Sequence, residues 1–256
     1  MNNIFNSKRF GRLFIKQLAE HYKTYLMGMA VLTGVMLVGG SFFIYLTPVV
    51  LDLGSQVVLF VTIYFLAGTI FTSTIFADVS DKKKAIGYLT LPASHFEKFF
   101  VGWLVSFLLF SLVYIACFYG ILMILLHLKH WPGQRIEVLN VFTEPVPIMF
   151  IAYAMLHGLS IWGAVFFEKL HFIKTAFCFF IAIVALSLVN TSFIEALIGR
   201  EIRTASPFSS ISFYENNRYI GVASVRQTDP LLGYVLIGVA IIFWAAAYYR
   251  LKEKQV

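Results

Sequence analysis

The sequence predicts an all-α integral membrane protein with six transmembrane helices, and three observations carry that prediction. The chain is 59% hydrophobic and only 13% charged, with mean hydropathy +0.81; a soluble domain carries roughly 25% charged residues. Six stretches of 19 to 28 residues hold almost no ionisable group, and about 20 apolar residues cross a hydrocarbon core of ~30 Å. Lysines and arginines fall unequally on alternate connections between these stretches, the pattern that sets orientation. The alternating pattern of barrel strands is absent. Helices satisfy their own backbone groups in lipid.

Before the first span lies Ser7–Lys23, "SKRFGRLFIKQLAEHYK". At 100° per residue Phe10, Leu13, Phe14 and Leu18 share one face, and Arg9, Arg12, Lys16 and Lys23 take the other. That segregation predicts a basic amphipathic helix lying in the membrane surface against anionic headgroups. The spans follow at Tyr25–Tyr45, Val57–Ala77, Phe99–Leu126, Val146–Phe167, Thr175–Phe193 and Leu231–Tyr249. The first is too long for a signal-peptide core, and no A-x-A site follows it. Ala30 with Gly34, and Ala154 with Gly158, are small-xxx-small pairs that let helices approach closely. The third span exceeds the hydrocarbon thickness and is expected to tilt or project.

The N-terminus, the loops after spans two and four, and the tail together hold fourteen lysines and arginines; the other side holds six. This places both termini in the cytoplasm, as an even number of spans requires. The net charge of +7 follows from topology and calls for no nucleic acid. Cys117 and Cys178 lie within spans and are expected to be reduced packing residues. Residues 191–230 form the longest external segment. Its "TSFIEALIG" reads as a short surface or re-entrant helix, and its "ISFYENNRYIGVASV" as a small hairpin. No repeat or second domain appears, so residues 1–256 form a single membrane domain.

The loop after span two, "DKKKAIGYLTLPASHFEKFF", is more structured than a polar turn requires. Asp78, Ser80 or Asp81 can cap a short helix over Lys82–Leu89 carrying Lys82, Lys83, Lys84, Ile86, Tyr88 and Leu89. Pro92 turns Leu91 away from helical geometry. Ser94 and Glu97 have capping-box spacing, so a new helix starts at His95. The short helix suits either docking in a groove of another protein or contact with headgroups alone.

"LTLPASHFEKFFVGW" resembles the "LPVSR-x-E" sequence that follows the second span in membrane subunits of ABC-2 type exporters, matching at Leu91, Pro92, Ser94 and Glu97. His95 stands where arginine is usual, and Gly102 is followed by Trp103 where a Gly-Lys pair would come earlier. The layout of the chain is similar as well. The resemblance implies that Lys82–Leu89 is a coupling helix inserting into a cytoplasmic ABC ATPase. It also implies pairing into a homodimer, or with a related permease subunit, in a bacterial cytoplasmic membrane.

The chain has no G-x-x-x-x-G-K-[ST] phosphate loop, so ATP and Mg would be bound by the partner, with no cofactor in this chain. No H-E-x-x-H or metal-ligand spacing is present, and an enzymatic role is not expected. "GLSIWG" places Ser160 without a histidine at the right angle on its own helix, so Ser160 is expected to bond back to that helix. His157 is the one ionisable residue inside the spans. It is expected to hydrogen-bond across helices as a neutral group, or else to line a transport path. The alternative to an exporter subunit is a non-transporting membrane scaffold or sensor.

Overall fold

The computed structural model describes residues 5–46, 51–80, 87, 90–128, 136–143, 145–199, 202, 211–215, 218–222 and 230–253. It contains six helices long and apolar enough to cross a membrane. They are α1 (Ser7–Leu46), α2 (Leu53–Ser80), α3 (His95–His127), α4 (Val146–Phe166), α5 (His171–Ile198) and α6 (Pro230–Glu253). Between α5 and α6 an antiparallel hairpin joins β1 (Ile211–Glu215) to β2 (Arg218–Val222). Its register pairs Ile211 with Val222 and Glu215 with Arg218.

α4 is the hub. It packs against α2, α5 and α6, and half of its most apolar window is buried, against 6% for α5. Two small residues make these approaches possible. A Cβ on Gly158 would stand 3.1 Å from the Ala240 carbonyl oxygen of α6, and one on Gly163 would overlap Thr175 of α5. Gly68 of α2 likewise leaves room for the Tyr153 ring. Of the two small-residue pairs read from the sequence, Gly158 is thus used against α6, while Gly34 faces open space. On α1 the close approach is made by Gly40, against Leu125.

The core is aromatic. Phe60, Tyr64, Phe110, Tyr114, Phe118 and Tyr153 are buried in one cluster between α1, α2, α3 and α4. Tyr64 and Tyr153 rings lie 4.3 Å apart, and Phe60 meets Phe118 edge-on at 4.9 Å. Such pairs contribute ~0.5–1.5 kcal/mol each beyond area burial. A second cluster joins Phe76, Phe99, Ile161, Val165 and Leu251 near the basic end. Gly102 leaves room there for the Phe76 ring.

Contacts fix the helix directions. Arg9 of α1 meets Glu97 of α3, and Gly40 meets Leu125. The two contacts lie 31 residues apart along α1 and 28 along α3, in the same order, so α1 and α3 run parallel. Phe99 packs on Tyr248, and the Arg250 guanidinium sits over the Phe166 ring at 5.6 Å. The starts of α1 and α3 and the ends of α4 and α6 therefore share one end of the bundle, where Lys8, Arg9, Arg12, Lys98, Arg250 and Lys252 gather. At the other end Gln56 is fully buried and binds three backbone groups. Its Nε2 donates to the Leu51 and Glu137 carbonyls, each at 2.8 Å, and its Oε1 accepts from Leu139 N at 2.9 Å. Asp52 caps α2 there; hydrogen bonds from Ser55 and from the Gly54 and Ser55 amides outweigh desolvation and hold its carboxyl below the usual range.

Three expectations change. The surface helix Ser7–Lys23 and the first span are one unbroken 40-residue helix. Nothing near Thr24 stops it: the sequence there has neither Pro nor a capping residue followed by a new helical start. "TSFIEALI" is the end of α5, not a separate helix. Thr191 bonds back to the Ser187 carbonyl at 2.8 Å, and the helix closes at Gly199 in the left-handed conformation, φ 68°. Cys178 is exposed on α5, not packed.

Gly163→Val should lower the melting temperature of the detergent-purified chain, because overpacking costs ~1–3 kcal/mol. Gly34→Ala should leave it unchanged within ~0.5 kcal/mol. Equal melting temperatures for wild type and Gly163→Val would contradict the α4–α5 packing.

Candidate functional site

Two polar arrangements stand out from the apolar bundle. The first is at the start of α3. Ser94 is the N-cap, and its hydroxyl accepts from Glu97 N at 3.2 Å while Glu97 Oε2 accepts from Ser94 N at 2.9 Å, which closes a capping box. Leu91–Ala93 is bent, with Ala93 N donating to the Leu91 carbonyl at 2.7 Å, so Pro92 sits outside any helix. The Glu97 carboxylate is fully buried. Arg9 grips it with two prongs, Nε to Oε2 at 2.6 Å and Nη2 to Oε1 at 2.8 Å. Asn6 N donates to Oε1 at 2.7 Å, and Asn6 Oδ1 in turn caps α1 by accepting from Lys8 N at 3.0 Å. One carboxylate thus receives four hydrogen bonds and ties the first turns of α1 and α3 together. The paired forks of arginine and carboxylate make this the strongest type of side-chain hydrogen bond.

Phe10 stacks on Phe100 with ring centroids 5.5 Å apart, sealing the clasp, and Phe14 is partly buried further along α1. Arg12 is exposed, and Lys16 lies 3.6 Å from Glu20. Lys82, Lys83, Lys84, Ile86, Tyr88 and Leu89, expected from the sequence to form a short helix, lie outside the described residues; Gly87 between them is helical.

The second arrangement is inside the bundle. His157 of α4 is fully buried. The Trp244 indole N–H of α6 donates to its Nδ1 at 3.1 Å. An indole nitrogen donates only, so Nδ1 is bare and Nε2 carries the proton. Nε2–H then donates to Ser106 Oγ of α3 at 2.9 Å, and Ser106 O–H donates to the Gly102 carbonyl at 2.7 Å. Three helices are joined by one neutral imidazole. Ser106 and His157 have the separation of a nucleophile and its base, but the tautomer is reversed: Nε2 already holds a proton and cannot take one from the serine. Ser160 bonds to the Leu156 carbonyl of its own helix at 2.8 Å.

Ser106 sits in a π-helical turn, Leu104–Leu109. A π turn widens the backbone ladder from i→i−4 to i→i−5, and the Phe110 amide there reaches both the Val105 and Phe107 carbonyls. Hydroxyls add further bonds. Ser111 donates to the Phe107 carbonyl at 2.5 Å and accepts from the Tyr64 hydroxyl at 2.6 Å. The Tyr153 hydroxyl reaches the Ser106 carbonyl at a long 3.4 Å. Sequence reasoning found His157 and the cap but missed Asn6, Ser106, Tyr153 and Trp244. The available signal was the polar spacing Ser106–Ser111 within an over-long apolar run. Among the described residues no group of three potential metal ligands converges.

No protein-family model, curated protein or solved structure matches the chain.

Two outcomes test this geometry. Arg9→Gln strands a buried carboxylate, so it should destabilise more than Glu97→Gln, and the double variant should melt above Arg9→Gln alone. Additive losses in a double-mutant cycle would contradict the clasp. His157→Leu with Trp244→Phe should show a coupling of ~0.6–1.7 kcal/mol, the range for hydrogen bonds between membrane helices; zero coupling would contradict the bond.

Proposed function

We propose that this chain is the membrane subunit of an ATP-driven ABC-2 type exporter, in a bacterial cytoplasmic membrane with both termini inside. The observation that carries this reading is the Leu91-Pro92-x-Ser94-x-x-Glu97 elbow between the second and third of six apolar helices. The six-helix bundle supports it, as does the crowding of basic residues at the end where α1 and α3 begin. In this reading the Lys82–Leu89 segment docks in a groove of a separate ATPase, which binds ATP and Mg and supplies the energy. The capped start of α3 transmits the displacement. A short, stiff connection is needed for that task, and Glu97 supplies it by fixing the elbow to both α3 and α1. A continuous helix of 40 residues, ~60 Å long, would carry motion at the elbow across the bilayer.

Six spans make half of such a transporter, so a second copy or a related permease completes it. The broad apolar outside of α5, with Phe177, Phe180, Leu186 and Val189 exposed, gives ample surface for lipid or for that second subunit. The described spans hold no charged substrate site, which favours a hydrophobic or amphiphilic cargo.

Affinity purification from native membranes should recover an ATP-binding subunit in stoichiometric amount. Ile86→Asp with Leu89→Asp should abolish its recovery while the chain still inserts and melts as the wild type does. Undiminished recovery with the double variant would overturn docking at this helix.

A further inference from the structure

Between the first three turns of α1 and the Leu91–Ala93 bend lies a cavity of about 430 Å³, within the ~300–1,000 Å³ range of small-ligand sites. Lys8, Arg12 and Lys16 line it at i, i+4 and i+8, with Leu13, Leu91 and Pro92 as apolar neighbours. Arg9 also lines it, but its guanidinium is occupied by Glu97, and the Lys16 ammonium lies 3.6 Å from Glu20. No acidic side chain lines it among the described residues.

These cations are badly placed for the helix itself. The first turn of α1 contains no acid of its own; the Glu97 carboxylate meets Asn6 and Arg9 there, and Lys8 adds a further cation at the positive end of the helix dipole, where anions belong. A rule that sets orientation asks only for positive charge on one side. It does not ask that Lys8 and Arg12, on one helix face, line a cavity with apolar neighbours.

We infer that this cavity is a binding site for a phosphate-bearing anion. Lys8 and Arg12 would contact the phosphate, and Leu13, Leu91 and Pro92 would contact the carbon skeleton attached to it. The two sources of that chemistry are an anionic phospholipid headgroup and a soluble phosphomonoester. The site does not depend on an ATPase partner. It lies beside the elbow through Leu91 and Pro92, so its occupancy would bear directly on the bend that precedes α3.

The test uses the full chain and native mass spectrometry, with phosphatidylglycerol, phosphatidylcholine and glycerol 3-phosphate as probes. Wild type should retain phosphatidylglycerol over phosphatidylcholine by about tenfold or more. Lys8→Gln with Arg12→Gln should remove that preference. Lys23→Gln with Lys174→Gln, which lowers the charge equally away from the cavity, should keep it. Arg12→Lys should keep most of it, and serves as the check if the double variant fails to fold. Displacement of the lipid by millimolar glycerol 3-phosphate would make a soluble phosphomonoester sufficient; retention against it would assign the site to the lipid. Equal losses in the two double variants, or no preference for either phosphate probe in wild type, would overturn the site.

Discussion

The buried carboxylate of Glu97 is the constraint on which the basic end of the bundle depends. A charge shut away from water is tolerated only when it is paired and hydrogen-bonded. Here the partners come from two separate stretches: Asn6 and Arg9 at the start of α1, and Ser94 before α3. Each carboxylate oxygen takes one bond from the Arg9 guanidinium and one from a backbone amide, and loss of Arg9 would leave the charge without its counter-ion. The start of α3, the lie of α1 and the bend at Pro92 are therefore specified together. The cavity under Lys8 and Arg12 exists because the first turns of α1 are held against that bend.

The same rule operates at greater depth. Lipid offers no hydrogen bonds, and around the π turn of α3 the Ser106 and Ser111 hydroxyls find partners in the Gly102 and Phe107 carbonyls of their own helix. His157 extends this pairing to α4 and α6. Its tautomer follows from Trp244, whose indole can only donate. The result is a packed connection between three helices, made from neutral groups, at the height where the aromatic rings of Trp103, Phe107 and Trp244 surround the imidazole. Gln56 does the equivalent work at the opposite end for the chain before α4.

Much of this was legible in the sequence. The number of spans, their approximate limits, the capping box and the hairpin of residues 211–222 follow from local composition, spacing and turn residues. What sequence spacing does not encode is which distant residues meet. Arg9 reads as one of four cations on a polar face, and nothing local marks it as the partner of a glutamate 88 residues away. Its helix reads as surface-lying because its faces segregate; in the structure Phe10 of one face and Arg9 of the other both meet α3, and Leu13 and Arg12 both line the cavity. The π turn leaves no compositional mark beyond two serines. Residues 191–198 look like a separate element because Asn190 and Thr191 are weak helix formers, yet the tertiary helix runs through them to Gly199.

A chain whose first helix is clamped to its third at the elbow can relay what happens there to the far side of the bundle, and this requires α1 and α3 to stay side by side from their first turns. Cysteine cross-linking in native membranes measures it most directly, with Cys117 and Cys178 replaced by alanine. Cysteines at Phe10 and Phe100, whose rings are 5.5 Å apart, should be joined readily by a short bifunctional thiol reagent, while a pair at the outward-facing Ile15 and Phe100 should be joined poorly. Failure of the first pair to cross-link, or equal yield from both, would show that the start of α1 lies away from α3 in the membrane surface.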